Sequence, residues 1–259
     1  MKIIVLMKQV ANKDAVLRIR GDEKWIDEST ISQQTNESDG YALEEALRLR
    51  EAKGEGEVIV CTLGRQSAKT VIKDALARGA DRAIHVVVEN ENELSPYQIA
   101  KAIADAIREE NADLVFTGLQ SDDASYGQTG VILAELLGIP HATIVIEVDR
   151  ESFDGSSLRI KRELESGWYQ WFKYNLPALL TIQSGISQIR YASLKGIMAA
   201  KKKEIKEVVP QLEDFASRQK IEKVYMPLKT KQTQMLGNGD AKAGAVELVE
   251  KLKTEVRVL

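Results

Sequence analysis

The chain has 259 residues, 44% of them hydrophobic, and a formal net charge of −3. That is enough apolar material for one large core, and the slight acidity gives no reason to expect a nucleic-acid partner. A single cysteine, Cys61, excludes an internal disulfide and fits a reducing compartment, and no apolar run reaches the roughly 20 residues of a membrane-spanning helix.

In chain order, short apolar runs alternate with helical patterns. The opening IIVLM (3–7) turns polar too soon for a signal peptide and reads as a first buried strand. Further strands are predicted over 58–63, 83–88, 114–117, 143–148 and 179–183. Runs apolar on both faces suit a parallel sheet covered on each side. Helices are predicted around Tyr41–Leu49, capped by Ser38 or Asp39 and stopped by Gly54, and around Ala68–Leu76, ending at Gly79. A third runs from Pro96 to about Glu110, and a fourth resumes at Val131. The expected fold is α/β: a twisted, mostly parallel, Rossmann-like sheet with right-handed crossovers. Residues 157–175 alternate apolar and charged residues and break at Gly167, which reads as an antiparallel hairpin. Beyond about residue 190 core-forming runs are scarce, so the division is an α/β domain over 1–189 and an extended, partner-binding arm over 190–259, with a short helix near 241–252.

The most informative stretch is DLVFTGLQSDDASYGQTGVILAELLGI (113–139), a strand, a small polar loop and a helix start. Unpaired N–H groups and the helix dipole there form an anion site, with Gln128, Thr129 and Gly130 near the first turn. The loop also reads as an ordinary connection, although a long one. No lysine, arginine or Walker-type motif lies in the stretch, so the site suits holding a phosphate, not transferring one. Ligands in open α/β sheets sit beyond the carboxyl ends of the strands, where 6–10, 63–65 and 118–120 would meet. Asn36–Asp39 reaches that crevice or serves only as a helix cap. Cys61 reads as a core residue, Asp122 and Asp123 as loop polarity, and His85 and His141 lack the company a metal site needs. No nucleophile–base pair is recognisable.

Several segments together resemble the small (beta) subunit of electron-transfer flavoproteins: IIVLMKQV, NESDGYALEEALRLRE, ALARGADRAIHV, GLQSDDASYGQTG, IKRELESGWYQWFKYNLPALLTIQ and RYASLKGIMAAKKKEI. Ser166 and Phe172 depart from the family's usual residues. The resemblance implies an electron carrier without a catalytic centre of its own, paired with an electron-transfer flavoprotein alpha (large) subunit that holds most of one shared FAD. It implies a structural AMP on this chain, in a pocket of Leu6, Asn36, Glu37, Ser38, Asp39, Leu63, Ser121, Asp122, Asp123, Ala124, Ser125, Tyr126, Gly127, Gln128, Thr129, Gly130, Val131 and Ile132. Members that bind a second FAD instead typically show a DGDTAQVGP-like loop, which 123–130 does not match. The family's flavin-side aromatic is also missing from Ala11–Asp14. Arg190, Tyr191, Leu194 and Ile197 correspond to a recognition segment that docks flavin dehydrogenases, with Leu194 as anchor; electrons then pass to a membrane or soluble oxidoreductase. The implied location is cytoplasmic, or the mitochondrial matrix, without membrane insertion. A nucleotide-hydrolysing α/β protein is the alternative from another class.

Overall fold

The computed structural model describes residues 1–211, 221–228 and 233–258. In chain order its elements are β1 (Lys2–Leu6), β2 (Gln9–Ala11), β3 (Gln33–Thr35), α1 (Glu37–Lys53), β4 (Glu57–Gly64) and α2 (Lys69–Arg78). Then come β5 (Arg82–Val87), α3 (Pro96–Ile107), β6 (Leu114–Gly118), α4 (Thr129–Leu137), β7 (His141–Asp149), β8 (Ser157–Glu163) and β9 (Tyr169–Asn175). The chain closes with β10 (Ala178–Ile182), α5 (Leu194–Ala200), β11 (Ile205–Val208) and α6 (Ala241–Lys251).

Successive strand residues point to opposite faces, so strands that are apolar throughout must be covered twice. Ile3 and Val5 of β1 join one core with α1, α2 and α5, whereas Ile4 and Leu6 join a second core with α3 and α4. The sheet runs β11-β5-β4-β1-β6-β10-β7-β8-β9. It is parallel from β11 to β7, and β8 and β9 complete it antiparallel. The chain winds outward from β1 through β4 to β5, then crosses back to place β6 on the other side of β1. That reversal makes a switch point between β1 and β6.

Local chemistry sets the helix ends. Gly54 takes φ 73° and its N–H returns to the carbonyls of Arg50 and Glu51, closing α1. Ser95 and Gln98 form a reciprocal capping box at the start of α3, with Pro96 in the first turn. The expected cap of α1 is displaced. Asn36 occupies the N-cap position, while Ser38 and Asp39 lie inside the helix and buried. Their side chains are turned toward another loop, as described below.

The expected strands, helices and hairpin are present, and the structure adds three pieces. β2 and β3 pair in a small separate sheet. β11 pairs with β5 from Ile205 against Ala83 to Val208 against Val86, so the sheet continues past the division drawn at residue 190. At the far edge, β9 exposes Tyr169 and Trp171; Arg159 lies over the Trp171 ring at 4.3 Å and Lys161 over the Tyr169 ring at 4.8 Å. The chain separates into two compact units, Met1–Val224 and Tyr225–Leu259. The second contains α6, capped by Asp240, and this helix buries none of its residues. Parts of the arm expected over 190–259, at 212–220, 229–232 and 259, lie outside the described residues.

Phe116 is fully buried at the centre of the sheet. Replacing it with Ala removes a ring and leaves a cavity, and should cost about 3–5 kcal/mol, read as a lower denaturant midpoint in equilibrium unfolding.

Candidate functional site at the strand switch point

β1 and β6 pair only where Ile3–Val5 faces Leu114–Phe116. Just beyond, the strands part, and their next N–H groups need other acceptors. Asp39 supplies both. Its Oδ2 accepts from the Lys8 N–H at 2.7 Å and its Oδ1 from the Gly118 N–H at 3.0 Å. Gly118 permits this approach, because a Cβ there would stand 2.4 Å from Asp39 Oδ1 and 2.1 Å from Ser38 Oγ. Burial pushes the Asp39 carboxyl up to about 7, against the pull of those donors.

The neighbouring residues fasten the loop after β6 to the start of α1. Asn36 Nδ2 and Ser38 Oγ both donate to the Gln120 carbonyl, at 3.0 and 2.9 Å. Asn36 Oδ1 accepts from the Asp122 N–H at 2.8 Å, and Asp122 Oδ2 accepts from the Glu37 N–H at 3.2 Å. The open N-terminus of α1 is thus capped from a distant loop instead of by its own side chain. Lys8 Nζ then meets Asp123 Oδ1 and Oδ2 at 2.7 and 2.6 Å. Burial opposes ionisation of Asp123, but the Lys8 ammonium wins and holds its carboxyl below the usual value.

A cavity of about 920 Å³ opens over these strand ends. That is near the upper end of small-molecule sites, roughly 300–1,000 Å³. Of the residues singled out from the sequence, Leu6, Asn36, Asp39, Leu63, Ser121, Asp123, Ala124, Tyr126, Gly127, Gln128, Thr129 and Gly130 line it. Glu37, Ser38, Asp122, Ser125, Val131 and Ile132 do not. The first three brace the wall from behind. Ser125 takes φ 52° in the loop and donates to the Ser121 carbonyl, and Ile132 packs into the second core. The cavity wall also takes in Trp25, Glu28, Arg65, Glu91, Ile99 and Ile103. Lys8, Arg65 and Gly118 fall within the strand ends expected to converge. Trp25 and Glu28 come from the excursion between β2 and β3, where no periodic pattern marks them.

The floor of the cavity includes the start of α4. Gln128 is its N-cap but makes no side-chain capping bond, so the first turn of α4 meets the cavity without a cap from its own N-cap residue. Gly130 seats this turn against the sheet, since a Cβ would meet Thr117 Oγ1 at 2.9 Å and Thr181 Cγ2 at 3.0 Å. Leu6 and Leu63 give apolar surface beside it, and Arg65 is held by Glu28 at 2.7 Å and Glu91 at 2.9 Å. Cys61 is 1% exposed, and burial pushes its thiol up to about 12, so it carries no reactive thiolate. His85 is buried with Nε2 3.0 Å from the Gly64 carbonyl oxygen. Among the described residues no three or more His, Cys, Asp or Glu converge on a metal position. Nor is any helix there long and apolar enough to cross a membrane. The arrangement offers backbone donors for an anion and an apolar wall for a flat group.

The second predicted cluster stands apart from the cavity lining. Tyr191, Leu194 and Ile197 are exposed, Leu194 to 82%. Arg190 is not: its guanidinium is bonded to Glu44 and Glu51 of α1. The Ser193 side chain caps α5 by accepting from the Gly196 N–H at 3.0 Å.

Residues 24–212 match the family model of the electron transfer flavoprotein domain. The chain is 34% identical to the electron transfer flavoprotein subunit beta of Methylophilus methylotrophus, over 98% of this chain and 99% of that protein. It is 35% identical to the mitochondrial subunit beta of Oryza sativa subsp. indica over the full length of both. To the human subunit beta it is 34% identical over 81% of this chain and 82% of that one.

Asp39→Asn puts an amide donor against one of two N–H donors and should cost about 1–3 kcal/mol. The pH dependence gives a second signature. Because the folded carboxyl titrates near 7 and the unfolded one near 3.8, the folded state binds more protons between those values. This group's contribution to stability therefore falls as pH rises from about 4 to 7, and Asp39→Asn should flatten that part of the curve in denaturant titrations at several pH values.

Proposed function

The chain belongs to the electron transfer flavoprotein family, as a protein of the beta-subunit type, and on that premise we propose that it is the small subunit of a heterodimeric electron carrier. In this reading it works with an alpha subunit that holds most of a shared FAD. The pair takes electrons from flavin dehydrogenases and delivers them to an oxidoreductase. FAD supplies the redox chemistry. What this chain contributes is positioning, a nucleotide-filled domain on one hand and a docking segment on the other.

The observation that carries the proposal is the uncapped start of α4 opening into the cavity at the switch point. A phosphate fits there on the N–H groups near Gln128, Thr129 and Gly130. Leu6 and Leu63 suit the faces of a base and ribose, and Asn36–Asp39 hold the wall. The Lys8 ammonium is already matched by Asp123, so the phosphate is bound chiefly by backbone donors. The two carboxylates nearest the strand ends are both engaged, Asp39 by the Lys8 and Gly118 N–H groups and Asp123 by the Lys8 ammonium. We assign AMP as a structural ligand. The cavity's size favours one other occupant, the adenine-bearing part of a second FAD, as in a bifurcating carrier.

Released nucleotide separates the two. The purified heterodimer is denatured and the supernatant identified by mass. One AMP and one FAD are expected per heterodimer; two FAD and no AMP would assign the cavity to flavin. A colourless chain with no affinity for an alpha subunit, or one that turns over ATP, would remove the carrier reading altogether.

Leu194, 82% exposed at the start of α5, is the docking anchor in this reading. Leu194→Ala should raise KM for the carrier about tenfold or more in dehydrogenase assays, with bound FAD unchanged. Unaltered kinetics across several dehydrogenases would discard the anchor.

A further inference from the structure

The segment that presents Leu194 is fixed to the domain at several points. Arg190 Nε reaches Glu44 Oε2 at 2.9 Å, and Nη2 reaches Glu44 Oε1 at 3.2 Å and Glu51 Oε2 at 3.0 Å. The Arg190 backbone N–H also donates to Glu44 Oε2, at 3.1 Å. Arg48 binds Glu44 at 2.6 Å and donates to the Gln188 carbonyl at 2.9 Å. Glu44 is 3% exposed, so this is a partly desolvated network instead of a loose surface pair. Further along, a Cβ on Gly196 would lie 2.1 Å from the Ala77 carbonyl, so α5 touches α2 backbone to backbone. Lys203 Nζ donates to the Leu76 and Ala80 carbonyls at the end of α2. Between these fixed points Tyr191 is 95% exposed, Leu194 82% and Met198 71%.

An exposed apolar side chain on a mobile loop would lose conformational freedom on docking, and that loss subtracts from affinity. Here the loss is taken at folding. We propose that Arg190, clamped by Glu44 and Glu51, is a positioning residue that pre-orders the Tyr191–Ile197 segment so that Leu194 meets its partner without rearrangement. The inference rests on the docking reading of Leu194. It moves Arg190 from the contact surface, where the sequence pattern had it, to the support beneath. A planar guanidinium serves both carboxylates at once; a lysine ammonium cannot reproduce that fork.

The test uses the assembled two-subunit carrier with Arg190→Gln, Arg190→Lys, Leu194→Ala and the Arg190→Gln/Leu194→Ala double variant. Amide hydrogen exchange over 191–197 reports order without any partner. Steady-state assays with reduced flavin dehydrogenases of the source organism, each driven by its own substrate, report KM and kcat. Arg190→Gln should speed exchange in the segment about tenfold and raise KM severalfold at constant kcat, with Arg190→Lys intermediate. The double variant should be little worse than Leu194→Ala alone, because Arg190 acts through Leu194. If Leu194→Ala raises KM but Arg190→Gln does not, the positioning role is overturned while docking stands. If Leu194→Ala leaves KM unchanged, the docking reading falls and this proposal with it. Should Arg190→Gln fail to assemble, Glu51→Gln removes half the clamp at a more exposed carboxylate, and the same two readouts apply at smaller amplitude.

Discussion

Two parallel strands that separate leave donors behind, and a buried N–H without an acceptor is costly. In this protein the parting of β1 and β6 would orphan Lys8 and Gly118, and Asp39 answers both with one carboxylate. Much else follows from that choice. Asp39 must come from the first turn of α1, so the helix starts flush against the strand ends. Gly118 must lack a side chain. The turn that carries Asp39 also carries Asn36 and Ser38, which hold the loop forming the far wall of the cavity.

The helix that begins this way has a second task at its middle. Besides Asp39, α1 buries two further carboxylates, Glu44 and Glu45, 3% and 1% exposed. Each is matched by an arginine from a distant part of the chain: Glu45 by Arg150 at 2.8 Å, Glu44 by Arg190. Removing one member of such a pair leaves the other charged and poorly solvated, so these contacts fix registry as much as they add stability. One helix therefore bears the cavity wall at its start and, two turns later, holds the segment that exposes Leu194. The cavity and the exposed Leu194 share a scaffold without sharing a residue.

Most of the layer architecture was legible in the sequence because its strands are apolar on both faces and its helices keep their period. The C-terminal ends of β1, β4 and β6 were expected to converge, and they do. The roles of NESD were less legible. A Ser or Asp before an apolar helical pattern signals a cap, and the pattern cannot tell a side chain that caps its own helix from one that reaches 79 residues ahead to Gly118. β2, β3 and Trp25 were missed because short, polar, three-residue strands carry no periodicity. β11 was missed because its edge position leaves Lys206 and Glu207 exposed, so IKEV reads as polar arm. Arg190 was expected at a docking surface along with Tyr191, Leu194 and Ile197, but the acidic partners that claim it lie on α1, far away in sequence.

The reach of the Asn36 clamp has a kinetic side. Its contacts to Gln120 and Asp122 span 84 and 86 residues. Closure over such separations comes late, after the intervening βα units have formed and folded back across the sheet. During synthesis the start of α1 emerges long before the loop that caps it, and waits with an uncapped helix end and a half-built cleft. The cavity is therefore complete only once the chain has crossed back to set β6 beside β1. A ligand seated there would stabilise only the completed winding and not its precursors, so the supply of that ligand would govern how much of the chain persists in its finished form.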